Sequence, residues 1–353
     1  MKRSAKILIA AAAVMMFLAV LAGTAFAAFA YVNTREMKAV IEKNFSEEVD
    51  PAREDDVCIA DDYYIRSTLP ISEAYISGDT SALNDREKET LKMASDILEG
   101  VIEEGMTPFE KEEAVYLWLT TKLAPEAGLL TVIPTTGEDA DNPYGVLKNR
   151  SAVCVGYATT FRLFMQMMGI ECKVVHDTSL SHSWDLVKLD DEWYHTDCYF
   201  DSEDGNYYYF NLSDEVMGRD HDWNHSFFPK AEGKKYNHAL MNAVELDDIT
   251  DVPAFAKENM DKEKCFACRF KGGVTPEMEP AAHYMIETLS EAINSSMEGS
   301  FSYYWAKDAN DDYVLCMFYG NDGSSDPSEG VSEEMMERIN EAISSEFDFY
   351  YDY

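Results

Sequence analysis

The sequence predicts an α+β protein, and three observations carry that reading. Apolar residues recur at helical spacing from Arg86 to Met168. Short β-branched and aromatic runs, joined by an acidic turn, follow from Ile170 to Phe200. The C-terminal stretch from Ala256 then reads strand, helix, strand, strand, helix, strand. At 353 residues, 46% hydrophobic and 12% aromatic, the chain can bury more than one core. Its 66 acidic against 29 basic side chains give a net charge of −37, which excludes nucleic acid as a partner and repels anionic lipid headgroups and cell-wall polymers. Basic, amine-bearing or neutral partners remain.

Residues 1–30 read as a signal peptide or an N-terminal membrane anchor. Lys2, Arg3 and Lys6 precede an uncharged, proline-free run from Ile7 to Ala30, the layout of an export signal. Small residues flank Phe26 and Phe29, giving two small-x-small cleavage sites. As a helix the run reaches about 36 Å, long enough to span a bilayer uncleaved. Both alternatives keep the basic residues inside and put everything after Tyr31 outside, so the expected location is extracytoplasmic, secreted or anchored to the outer membrane face. Residues 31–85 are acidic and without clear period, an N-terminal extension partly packed on the domain after it.

From Arg86 to Glu104, Leu91, Ala94 and Leu98 share a helical face, and Gly105 ends the helix. Thr107-Pro108-Phe109-Glu110 supplies an N-cap, a first-turn proline and a capping-box glutamate for a second helix to about Thr121. After a loop from Pro125 to Pro143, Val153 to Met168 forms a third helix, with Tyr157, Phe161, Phe164 and Met168 on one stripe and Gly169 as its stop. Strands follow at Ile170–His176, His182–Leu189 and Trp193–Phe200, the last two joined by Asp190-Asp191, with one more strand at Tyr207–Phe210. Ser213 to His225, acidic and histidine-bearing, loops over the end of the sheet. A second, small α+β domain over 256–353 carries strands at Lys264–Lys271, Phe301–Lys307, Tyr313–Tyr319 and Phe347–Tyr351. Its helices run from Thr275-Pro276 to Met297 and from Ser332 to Ser344, in the ferredoxin-like order.

Cys154 opens its helix, where a partial positive charge and unpaired N–H groups favour thiolate and can hold the oxygen of a tetrahedral intermediate. Gly156 would admit a substrate backbone closely. A buried structural cysteine is the competing reading. With Asp190-Asp191 as a two-residue loop, residue i pairs with 381 − i, so His182 faces Tyr199 and Asp197 is its diagonal neighbour on the same face, within roughly 7–8 Å. That separation lets the carboxylate hold Nδ1–H and aim Nε2 at a thiolate, whereas a one-residue slip would place the two on opposite faces. His195, two residues from Asp197 on that face, is a rival base.

The chain holds seven cysteines, an odd number that leaves at least one thiol over if bridges form. Cys265-x-x-Cys268 is open to reading as a redox pair, half of a metal site or two strand residues, and reads best as part of a bridge, with Cys316 on a neighbouring strand as a candidate partner. Pairing His221-x3-His225 with it would give zinc-ligand residue types, but the separation argues for loop contacts near the cleft, and no metal or cofactor is expected. Asp308 to Asp312 lacks the glycine and closing glutamate of a calcium loop and reads as a solvated turn.

Tyr144-Gly-Val-Leu, Ala152-Val-Cys154-Val-Gly-Tyr-Ala, Met168-Gly-Ile-Glu-Cys, His182-Ser-Trp184-Asp-Leu-Val and Trp193-Tyr-His-Thr-Asp197 together resemble the bacterial transglutaminase-like superfamily. Met106-Thr-Pro-Phe-Glu-Lys and Tyr209-Phe-Asn-Leu-Ser-Asp resemble its flanks, so the likeness covers about Arg86 to Pro229. The resemblance implies a papain-like core, here a catalytic domain over 86–255, with Cys154 as nucleophile, His182 as general base and acid, and Asp197 as orienter. It prefers His182 to His195, and it implies that Trp184 walls the site, with Gly156 and Tyr157 as further substrate-binding candidates. Three departures stand out. Asp185 replaces the usual asparagine after the tryptophan, Cys198 replaces the usual proline after the aspartate, and Arg150-Ser151 replaces a glycine-containing turn. The implied chemistry is acyl transfer at an amide of a protein or peptide substrate through a cysteine thioester, hydrolysis being favoured over glutamine–lysine cross-linking. The alternative is an idle transglutaminase-like binding module at the cell surface.

Overall fold

The computed structural model describes residues 58–60, 63–65, 67–125, 139–178, 182–202, 205–260, 262, 264–296, 301–319 and 333–346. The chain divides into two compact units, Met1–Val57 with Tyr64–Arg66, and Cys58–Tyr63 with Ser67–Tyr353; the helices and the two larger sheets lie in the second. The export or anchor segment and the expected strand Phe347–Tyr351 lie outside the described residues, among which no helix is long and apolar enough to cross a membrane.

The helices start where capping chemistry places them. Asp85–Val101 opens on a capping box between Asn84 and Glu87, and Pro108–Lys122 on one between Thr107 and Glu110. Both feed the core around Cys154–Met167, a helix whose residues are buried almost throughout. The 31–85 stretch contributes a further helix, Leu69–Ser77. Its N-terminus is tied to the cysteine helix by Thr68, whose Oγ1 donates to Gln166 at 2.7 Å and accepts from Arg162 Nε at 3.0 Å.

Cys172–His176, Ser183–Leu189 and Glu192–Thr196 form an antiparallel sheet with Ser183–Leu189 in the middle. Leu189 pairs with Glu192 and Asp185 with Thr196, the register set by a two-residue loop. Asp190 and Asp191 both take positive φ (48° and 67°), the backbone that a primed hairpin turn requires. Strand alternation then divides the side chains. Cys172, Val187, Leu189 and Tyr194 join the core around the cysteine helix, while Val175, Trp184 and Leu186 join a second core with Cys265, Ala267, Tyr304 and Phe318.

Two expectations are corrected. Tyr207–Phe210 is not a strand: Tyr207 and Asn211 adopt φ of 61° and 57°, and the segment and the residues after it meet the sheet at an Asp197 N–H bond to the Tyr209 carbonyl at 2.9 Å, an Asn211 N–H bond to Thr196 Oγ1 and an isolated His195–Leu212 bridge. In the C-terminal sheet the order is Phe301–Lys307, Tyr313–Tyr319, Cys265–Phe270, Val244–Leu246. Among the described residues Val244–Leu246, upstream of the expected domain, runs parallel to Cys265–Phe270, and helix Val252–Met260 makes the crossover that parallel pairing needs. This layer therefore begins at Val244, and a boundary at 255/256 would cut the helix. Helices Glu279–Ser296 and Glu333–Glu346 supply Ile286, Leu289, Ile339 and Ile343 to the core on the sheet's other face.

Candidate active site

Cys154 is the first residue of its helix, with Val153 as N-cap. The approach to it is tight. Arg150, in place of the glycine-containing turn, itself takes φ 60° to close the preceding helix Pro143–Asn149, and its guanidinium lies 4.6 Å over the Trp118 ring. The Ala140 carbonyl accepts from Val153 N–H at 3.1 Å.

The hairpin delivers the other two residues. His182 lies just before strand Ser183–Leu189, its N–H held by Asp177 Oδ1 at 3.1 Å. Asp197 lies just after Glu192–Thr196 and is fully buried. Its Oδ1 accepts the backbone N–H groups of Tyr199 and Phe200 at 2.9 and 3.1 Å. These bonds turn the chain and end the strand earlier than the expected Phe200. Oδ2 faces His182 Nε2 at 2.5 Å.

The structure thus brings His182 and Asp197 together, but through Nε2 rather than the expected Nδ1. Nδ1 is buried with no other nitrogen or oxygen partner, and Cys154 is the second group acting on the ring. Burial disfavours the imidazolium. The Asp197 charge and hydrogen bond outweigh it, with a smaller contribution from Cys154, and the His182 pKa rises to about 10. Burial likewise opposes the Asp197 carboxylate, yet the charge and hydrogen bond of His182, then those of His221, hold its pKa below the usual range.

His221 is the site residue that the sequence left among loop contacts. Its Nε2 lies 3.3 Å from Asp197 Oδ2 and its Nδ1 2.7 Å from Asp220 Oδ1. The only cue was the histidine-bearing acidic segment itself, because a loop has no period from which to read a distance. His182, Asp197 and His221 present one ligand atom each within 4.8 Å, the composition of a two-histidine, one-carboxylate metal set. Those atoms already hydrogen-bond to one another, so a cation would have to displace the protons that the rings offer Asp197. His225 is exposed and lies tilted over Trp223 at 4.2 Å, outside this cluster.

His195 is fully buried, with Nδ1 accepting from the Trp184 indole and Nε2 facing Asp214 Oδ1 at 2.9 Å, engaged away from the thiol. Trp184 is itself buried and lies 5.8 Å from the His182 ring, nearly parallel to it. Gly156 and Tyr157 are buried too. A Cβ at 156 would come within 2.0 Å of the Ala140 carbonyl, so this glycine admits the chain's own backbone rather than a substrate's. Tyr157 packs in the helix core, edge-on to Tyr199. Phe200 is the exposed aromatic at the site, 41% accessible and stacked 4.3 Å from His182.

The departures are absorbed by the core. Asp185 is buried. Burial pushes its carboxyl well above the usual range, while the Cys172 thiol, which donates to Oδ1 at 3.4 Å, and the Arg162 charge oppose that rise. Cys198 is a buried free thiol. The expected bridge is corrected as well: no disulfide joins Cys265, Cys268 and Cys316 to one another. Asp308 anchors its turn by accepting from Asn310 and Asp312 N–H groups, and pairs with Arg269 at 3.0 Å.

Residues 95–198 match the family model of the Transglutaminase-like superfamily, a span that contains Cys154, His182 and Asp197. That segment, under a third of the chain, is similar to the transglutaminase-like superfamily. Among solved structures, one named "Crystal structure of a TGase" is similar at 12% identity and a TM-score of 0.26, over 38% of this chain and 39% of that one. The chain thus spans well under half the length of that protein. No curated protein matches.

Proposed function

We propose that this chain is an exported cysteine enzyme that transfers acyl groups from amides of a protein or peptide substrate, with hydrolysis favoured over glutamine–lysine cross-linking. The observation that carries the reading is the convergence of Cys154 and Asp197 on one imidazole, which supports His182 as the base for a Cys154 nucleophile. The thiolate forms a bond to the amide carbonyl carbon. As the tetrahedral adduct collapses, the C–N bond breaks and the His182 imidazolium gives its proton to the departing nitrogen, leaving a thioester. Neutral His182 then takes a proton from water, whose oxygen bonds to the acyl carbon while the C–S bond breaks and the thiolate returns. A primary amine in place of water yields a new amide. Asp197 keeps the ring oriented throughout.

The net charge of −37 favours basic or amine-bearing substrates. Export rests on the basic and apolar segment 1–30, and the C-terminal layer serves as an accessory domain. One observation favours the second reading, an idle surface-binding module: Cys154 is only 1% exposed.

Iodoacetamide labelling at neutral pH, with the modified cysteine mapped, tests the reading. Cys154 is expected to react quickly in the parent and slowly in His182→Ala. Slow labelling unaffected by His182→Ala would overturn it in favour of the idle module. Ammonia release from a glutamine peptide, with and without dansylcadaverine, then separates hydrolysis from amine transfer.

A further inference from the structure

The Asp197 carboxylate serves two imidazoles. His221 approaches the same Oδ2 as His182, from the loop after the short helix Asp214–Met217 rather than from the hairpin. Its backbone is fixed by a hydrogen bond to the Met217 carbonyl at 3.1 Å. Its ring is 7% exposed at the residue level and enclosed by aromatics: Trp184 at 4.8 Å, Tyr209 at 5.1 Å and Phe200 at 5.4 Å, all steeply inclined to it. Each ring nitrogen faces a carboxylate oxygen, Asp197 on one side and Asp220 on the other, and Asp220 is held in turn by the Tyr209 hydroxyl at 2.7 Å. An ionised carboxylate only accepts, so satisfying both contacts requires a proton on both nitrogens. The aromatic walls also suit a cation.

We infer that His221, carried as an imidazolium between Asp220 and Asp197, is a positioning residue that fixes the Asp197 carboxylate against His182. The inference rests on the thiol-enzyme reading for its consequence but not for its geometry. His221 acts through Asp197 and does not touch the reacting atoms. With its charge present, Asp197 stays ionised in a buried site while its hold on the His182 proton is shared, which leaves that proton transferable to a departing amine. The charged and titratable groups facing His221 are Asp197, His182 and His195 from the hairpin, Asp220 from its own turn, and the Tyr209 phenol that holds Asp220.

The experiment is nitrogen-15 NMR of histidine-labelled full-length protein carrying Cys154→Ala, alone and with His221→Gln or Asp220→Asn, beside iodoacetamide labelling of the Cys154-bearing counterparts. Two protons on the His221 ring at neutral pH are expected. In His221→Gln, loss of the neighbouring positive charge should raise the His182 titration midpoint, and Cys154 labelling should rise with it, because a more basic imidazole favours the thiolate. Asp220→Asn, at a half-exposed carboxylate, should shift both readouts in the same direction by less. A neutral His221 ring, or an unmoved His182 midpoint in a variant of reduced Tm, would overturn the inference and leave a structural role. If Cys154 labels as an ordinary thiol while the His182 midpoint still follows His221, the enzyme reading fails and the positioning stands.

Discussion

The indole N–H of Trp184 donates to Nδ1 of His195 at 2.9 Å, and this bond separates the hairpin's two histidines by role. A donor at Nδ1 fixes His195 as the Nε2–H tautomer, which donates to Asp214. Burial lowers the His195 pKa against the opposing Asp214 contacts, so the ring is neutral at the pH where His182 is charged. His195→Ala should leave the Trp184 N–H unpaired in a fully buried place and cost about 2 kcal/mol or more in urea unfolding. Cys154 labelling under native conditions should persist. His182→Ala should slow labelling sharply, and because it strips the buried Asp197 carboxylate of its main partner it should cost stability as well, so labelling rather than stability distinguishes the two histidines. Abolished labelling in a fully stable His195→Ala protein would reassign the base.

Gly156 makes a second separation. Substituting alanine drives a methyl group into the Ala140 carbonyl, and both partners are backbone-constrained, so relief requires moving the start of the cysteine helix. Gly156→Ala should destabilise by about 1–3 kcal/mol and slow Cys154 labelling with it. An unchanged unfolding midpoint would show that the Ala140 loop yields, and would return Gly156 to a direct role at the substrate.

The pairing of His182 with Asp197 was legible because a two-residue turn leaves one register open, and strand periodicity does the rest. Which imidazole nitrogen meets the carboxylate was not legible, because ring orientation is set by packing against Trp184 and Phe200 rather than by spacing. Caps at Thr107 and Asn84 depend on local chemistry, and the helix at Thr107 was read closely. Val244–Leu246 escaped notice because three residues hold too little pattern, and their strand character arises only on pairing with Cys265–Phe270. Tyr207–Phe210 misled in the opposite sense: its aromatic composition suits a strand, yet the two left-handed residues bounding it depend on tertiary contacts.

Alternation also explains the cysteines. In strand Cys265–Phe270, three residues of separation put Cys265 and Cys268 on opposite faces, one in each core. Cys316 pairs with Ala267 and Cys265 with Phe318, so Cys316 shares the Cys265 face only diagonally. Reductant should therefore leave the unfolding midpoint unchanged, and alkylation in denaturant without reductant should modify all three. A peptide cross-linked between any two of them would contradict the absence of a bridge among the three.

Buried carboxyls predict how stability responds to pH. Glu112, wholly buried, accepts from Asn211 Nδ2 at 3.0 Å and Thr196 Oγ1 at 3.4 Å. Burial outweighs these bonds and raises its pKa to about 8. Asp201, which accepts from the Tyr116 hydroxyl and Tyr209 N–H, is likewise raised by burial to about 8. In both cases the native state keeps a proton that the unfolded chain releases near its ordinary pKa. The associated stability is complete below that value and is lost as pH rises through about 8. His182 adds a loss of the same sign from about 6.5 to about 10. The urea midpoint should thus fall from pH 5 to pH 8, and Glu112→Gln, which cannot ionise, should fall less steeply than the parent. Parallel curves would mean that Glu112 is already ionised in the native core, with its two hydrogen bonds sufficient to hold the charge.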